Sequence, residues 1–183
     1  MGRKYTISDH SKLYFMTFAV VNWIDVFVRD IYKEKFIESL EYCRDNKGLQ
    51  IYAYCIMTSH IHLILGVEEG KNLSDVIRDV KSYTSKELRE TIADNKQESR
   101  RRWMLWMFEL AGKRNKRNNR FQFWQQHNHP IELSTNEMME QRLDYIHNNP
   151  VAAGFVNEPE NWLWSSANQY AGNKGRLEVL YIE

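Results

Sequence analysis

Cysteine is nearly missing from this 183-residue chain, which carries only Cys43 and Cys55. The two have no zinc-type spacing and no secretory context, so a reduced, cytoplasmic protein is expected. Long apolar runs are lacking too. No stretch reaches about 18 apolar residues, so neither a transmembrane helix nor a membrane partner is expected. The opening residues, Met1-Gly2-Arg3-Lys4-Tyr5, hold no apolar stretch of the signal-peptide kind. Net charge is nearly absent as well, at +1, which excludes a basic nucleic-acid coat spread over the whole surface. Neither an internal repeat nor a low-complexity tract occurs. What is present is a hydrophobic content of 43%. That suffices for the core of one domain, with or without an insertion.

The small net charge hides a local excess. Between Arg100 and Arg120 stand Arg100, Arg101, Arg102, Lys113, Arg114, Lys116, Arg117 and Arg120, with Glu109 as the sole anion. The stretch therefore carries +7 and the rest of the chain −6. Such asymmetry predicts an anionic partner bound locally, with these eight cations as the candidate DNA-binding residues.

Hydrophobic periodicity predicts a strand over Leu13 to Val21 and a helix over Asp30 to Asn46, stopped near Gly48. Two further strands follow, Leu49 to Met57 and Ser59 to Val67. Asn72 or Ser74 caps the next helix, whose apolar stripe includes Leu73, Val76, Ile77, Val80 and Leu88. Residues 94–120 read as a basic insertion, with a short aromatic helix at Trp103 to Leu110 and a loop from Ala111 to Arg120. Phe121 to Trp124 is strand-like. Ser134-Thr135-Asn136-Glu137 forms a capping box for a last helix that Pro150 ends. This order suits one α+β domain with a ferredoxin-like antiparallel sheet and helices packed on one face.

Two segments carry chemistry. In Thr58-Ser59-His60-Ile61-His62-Leu63, residues two apart in a strand share a face, so His60 and His62 project side by side while Ile61 and Leu63 point the other way. Paired imidazoles fill a core poorly and begin a metal site. A second pair, His127 and His129, lies in a polar loop, where geometry is held less firmly. In Tyr145-Ile146-His147-Asn148-Asn149-Pro150, Tyr145 and Asn149 share a helix face. Two histidines, an amide and a phenol are the parts of a metal-assisted tyrosine nucleophile acting on a phosphodiester. His147 is either a supporting group or exposed. Trp103, Trp106 and Phe108 either stack bases or cover a small satellite core.

These motifs, together with Val151-Ala152-Ala153-Gly154, Trp164-Ser165-Ser166 and the weaker Phe123-Trp124-Gln125, resemble those of single-tyrosine HUH transposases, within them the REP-associated tyrosine transposases. The resemblance runs from about Leu13 to Ser166, interrupted by the basic region. It implies a ferredoxin-like core, His60, His62 and Asn149 as ligands of Mg²⁺ or Mn²⁺, and Tyr145 as nucleophile. It further implies cleavage and rejoining of single-stranded DNA through a 5′-phosphotyrosine, near a hairpin-containing element. Similar proteins include dimers and monomers, so a homodimer is one of two expectations. Two rival readings stand beside it. One is a non-catalytic nucleic-acid-binding protein that kept the fold. The other is a small-molecule metalloenzyme, which would not need the positive stretch.

Overall fold

Residues 6–115 and 120–182 are described by a computed structural model of the chain. Four strands form one antiparallel sheet: β1 (Tyr14–Ala19), β2 (Leu49–Ile56), β3 (His60–Val67) and β4 (Ile131–Glu132). Their spatial order is β2-β3-β1-β4. Helix α1 (Asp30–Lys47) connects β1 to β2, and β2 turns directly into β3. Helices α2 (Leu73–Asp94) and α3 (Arg101–Arg114) lead to β4, and α4 (Asn136–Ala152) and the short α5 (Ala167–Tyr170) follow. This is the expected ferredoxin-like α+β arrangement.

Alternation along the strands divides the side chains between two faces. Tyr14, Met16 and Phe18 of β1 join Ile61, Leu63 and Leu65 of β3 and the buried stripes of α1 and α2 in the main core. The helical layer expected on one face is therefore present. The other face is covered as well: Ile146 of α4 packs with Phe15, Ala53, Cys55, Met57, Ile64 and Leu133. The basic N-terminal half of α3 is bound into the fold, because Met104 and Phe108 enter the main core.

Several boundaries differ from the sequence reading, each for a physical reason. Helix α3 runs on to Arg114 because Gly112 permits a close approach: a Cβ there would lie 2.5 Å from the Phe121 Cα. Phe121 to Trp124 forms only an isolated bridge, Trp124 to Val20, and the ladder proper is made by Ile131 and Glu132 against Phe15 and Tyr14. Thr135, not Ser134, caps α4; its hydroxyl accepts from the Met138 amide at 3.2 Å, so no reciprocal capping box forms. Pro150 does not end α4. Proline loses its amide hydrogen bond and crowds the carbonyl four residues back, but it stands only two residues before the end of α4, so the helix carries it into its closing turn. There Phe155 N–H donates to Pro150 O and Gly154 N–H to Val151 O, both at 2.9 Å, with Gly154 at φ 75°. This is a Schellman closure, and the left-handed position suits glycine. Asn72 rather than Ser74 caps α2, its side chain accepting from the Asp75 amide.

Candidate active site

The register of the sheet builds the site. Ala19 lies opposite His60, and Thr17 opposite His62, on the face that α4 covers. The two imidazoles sit 4.7 Å apart, centroid to centroid. The Thr17 hydroxyl is 2.8 Å from His62 Nδ1, and the Ser59 hydroxyl 3.2 Å from His60 Nδ1. When each Nδ1 carries the proton and donates to its hydroxyl, each Nε2 keeps a lone pair for another partner. Burial dominates the electrostatics. It pushes the His62 imidazole down to about 3, helped by His60 and then Arg142. It lowers His60 as well, against the raising influence of Asp25. Both rings are therefore neutral near pH 7, the form that can ligate a cation.

Helix α4 brings the second half of the constellation across the sheet. The Asn149 side-chain nitrogen stands 3.3 Å from His62 Nε2. One turn earlier, the Tyr145 ring lies 5.2 Å from the His62 ring, edge-on, and 46% of the residue is exposed. Another turn back, the Arg142 guanidinium covers the Phe15 ring at 4.9 Å. Phe15 in turn stacks on His62 at 5.7 Å and meets the Tyr145 edge at 5.9 Å. Arg142, Tyr145 and Asn149 thus form one helical stripe facing the paired histidines.

The C-terminal segment fixes this helix. His147 is buried, with Nε2 2.9 Å from the Ser166 hydroxyl, and burial pushes it down to about 4. Ser166 also bonds the β2 backbone through Tyr54: its hydroxyl accepts from the Tyr54 amide at 3.1 Å, and its own amide donates to the Tyr54 carbonyl at 2.9 Å. Trp164-Ser165-Ser166 therefore ties α4 to the sheet, and His147 is the supporting group of the two alternatives left open.

Other candidates lie apart. His127 and His129 are exposed in the loop before β4, with ring centroids 6.2 Å apart. Among the described residues no group of three His, Cys, Asp or Glu is placed to hold a metal, so a metal here would need an amide such as Asn149. The cations divide. Arg100 is half-exposed but engaged within the protein, by the Glu98 carboxylate at 3.3 Å and the Asp25 carbonyl at 3.0 Å. Arg101 contacts the Ala93 carbonyl at 3.5 Å. Arg102, Lys113, Arg114 and Arg120 are exposed or half-exposed, while Lys116 and Arg117 fall outside the described residues. The sequence assigned no role to Thr17 or Arg142, and quoted Ser59 and Ser166 only as members of motifs. For Arg142 the signal available was its one-turn spacing from Tyr145.

A cleft of about 920 Å³ lies between α2 and residues 121–128, with neither His60 nor His62 in its lining. No helix among the described residues is long and apolar enough to cross a membrane.

The chain is similar in structure to a REP-associated tyrosine transposase bound to a REP hairpin, at 18% identity over 94% of this chain and 84% of that one, with a TM-score of 0.64. It also matches a putative transposase from Deinococcus radiodurans, at 16% identity over 81% and 95% of the two chains, with a TM-score of 0.45. No curated protein gives a significant sequence match. The family model described as "Transposase IS200 like" matches residues 10–109, more than half of the chain, including both strand histidines. The chain belongs to the IS200-like transposase family.

Proposed function

We propose that this transposase cleaves and rejoins single-stranded DNA with Tyr145 as nucleophile and His60, His62 and Asn149 as ligands of a divalent cation. One observation carries the reading: α4 brings Tyr145 and Asn149 together onto His62, far away in sequence, at 5.2 and 3.3 Å. The donor set fits such an ion. Two neutral imidazoles have their Nδ1 atoms beside hydroxyls, and a half-turn of the Asn149 amide brings its oxygen to the His62 side. Mg²⁺ or Mn²⁺, when bound, would offset phosphate charge and orient the scissile group.

The residues do the rest. The Tyr145 oxygen attacks phosphorus, the bond to the departing 3′ oxygen breaks, and a 5′-phosphotyrosine and a free 3′-hydroxyl result. The phenol loses its proton and the departing oxygen gains one. Arg142 supplies a cation beside the attacking ring. Rejoining reverses these steps on a second 3′ end. By analogy with the hairpin-bound neighbour, the target is a strand carrying a REP-type hairpin, and the chain falls in the REP-associated group. Arg102, Lys113, Arg114 and Arg120, with Lys116 and Arg117, contribute phosphate contacts. Arg100 and Arg101 help mainly by holding α3.

The test is incubation of the chain with end-labelled hairpin-bearing single-stranded DNA and Mn²⁺, followed by denaturing electrophoresis. A covalent protein–DNA band is expected for the wild type and none for Tyr145→Phe. A band of equal strength from the Phe variant removes Tyr145 from its role. DNA binding without any wild-type band makes the chain a binding protein instead.

A further inference from the structure

We propose that the outer face of α3, together with Trp23, is a stacking surface for unpaired bases of the strand entering the site; the inference rests on the single-strand DNA reading above. Helix α3 has two unlike sides. Met104, Phe108 and Gly112 are buried against the core. The opposite side presents Trp103 and Trp106, 47% and 57% exposed, followed by Leu110 and Arg114. Steps of three, four and four residues keep these four on one stripe. Large aromatics are rarely left in water on two successive turns without a partner. The helix's one acid, Glu109, faces away to pair with Arg89 on α2 at 3.5 Å, so the stripe is aromatic and cationic.

The stripe leads to the histidines. Arg100, at the start of α3, is anchored on the Asp25 carbonyl. Near its end, Leu110 and Arg114 share a cavity of about 410 Å³ with Val21, Asn22 and Trp23. Trp23 is 56% exposed, and its ring meets the His60 ring edge-on at 5.4 Å. Its backbone is strained: Asn22 and Trp23 both have positive φ, at 55° and 54°. Such a conformation costs an aromatic residue free energy, and the fold keeps it where it holds an indole beside the site. Aromatic faces interleaved with cations are the chemistry that binds single strands with little sequence preference. Phosphates would meet Arg114 while bases stack on the indoles. Exposed indoles beside a cation, with the helix's one acid turned to Arg89, favour an unpaired strand over a second protein chain.

The experiment measures equilibrium binding without metal, in the Tyr145→Phe chain, so that cleavage plays no part. The probes are fluorescent oligothymidylate and an abasic strand of equal length. Trp23→Ala, Trp103→Ala and Trp106→Ala should each weaken oligothymidylate binding by about fivefold or more and leave the abasic strand unaffected. Trp→Phe at each position should retain most of the affinity. Arg114→Gln should weaken both probes and make the log–log salt slope shallower by about 0.7. Thermal melting separates loss of binding from loss of fold. Equal loss on both probes, or no loss on oligothymidylate, overturns the stacking surface. So does a wild-type dimer that the Trp103→Ala and Trp106→Ala changes dissociate in sedimentation. Absence of a wild-type covalent band with the Trp effects intact would sink the cleavage reading alone. A normal band with unaltered binding in the Trp variants would sink this inference alone.

Discussion

Thr17→Val tests whether the sheet register, and not merely the histidines, makes the site. Valine has nearly the shape of threonine, so β1 keeps its packing and its β propensity. What it removes is the hydroxyl 2.8 Å from His62 Nδ1. Two consequences follow. Nδ1 lies in a buried position and loses its partner, which destabilises the fold by about 1–3 kcal/mol. The ring is then no longer held in the tautomer that leaves Nε2 open toward Asn149. Partners of this kind typically account for about 10- to 100-fold in metal affinity. The Mn²⁺ concentration giving half-maximal covalent adduct should therefore rise by about that factor, while the rate at saturating Mn²⁺ falls much less. Thr17→Ser keeps the hydroxyl and should restore the midpoint. A Thr17→Val midpoint within twofold of the wild type, with only the melting temperature lowered, would show that Thr17 merely packs and that His62 is oriented by Asn149 alone.

Other consequences concern stability. Glu98, with its side chain 1% exposed, accepts from Arg29 at 3.0 Å and is paired with Arg100, so it joins α3 to the start of α1. Glu98→Gln breaks that junction. Both arginines retain access to water, so the cost should be about 1–2 kcal/mol, below the ~3–5 of a fully buried pair; calorimetry should show a lower melting temperature, and an unchanged one would mean the junction contributes nothing. Acid should also loosen the metal-free protein. Burial holds His62 and His147 neutral down to about 3 and about 4, whereas the unfolded chain protonates both near pH 6.5. The unfolded state binds the extra protons, so the stability these groups contribute is full above about pH 6.5 and is lost as pH falls toward 4. His147 alone would account for about 3 kcal/mol by pH 4. Urea midpoints from neutral to acid pH measure this; a flat profile, or one unaltered in His147→Gln, would contradict it.

Periodicity explains which parts of this molecule were legible in the sequence. A period of two was enough to put His60 and His62 on one face, and a helical period put Tyr145 and Asn149 on another. Both are local properties, and the structure agrees with them. Nothing local says that α4 lies across the histidine face, because that depends on Ile146 finding Phe15, Ala53 and Ile64 far away in sequence. The last strand escaped notice for a related reason. Its ladder is two residues long, and the aromatic pair upstream, Phe123 and Trp124, is apolar because it fills the core rather than because it extends a sheet. The loop expected from Ala111 is helical as far as Arg114, where the missing side chain of Gly112 serves a close backbone approach within a helix.

The strongest dependence on tertiary structure is at His62 itself. Its Nδ1 partner comes from β1, its Nε2 neighbour from α4, and its stacking ring from Phe15. The pairing of Thr17 with His62 is set by the hydrophobic alternation of Met16 and Phe18 against Leu63 and Ile61, residues that never touch the site. A slip of one residue in that register would turn the histidines into the core and present leucine and isoleucine to α4. The apolar face of the sheet therefore specifies the histidine face. Substitutions in the main core that loosen the register, such as Phe18→Ala, should impair metal-dependent adduct formation more than a stability loss alone would predict.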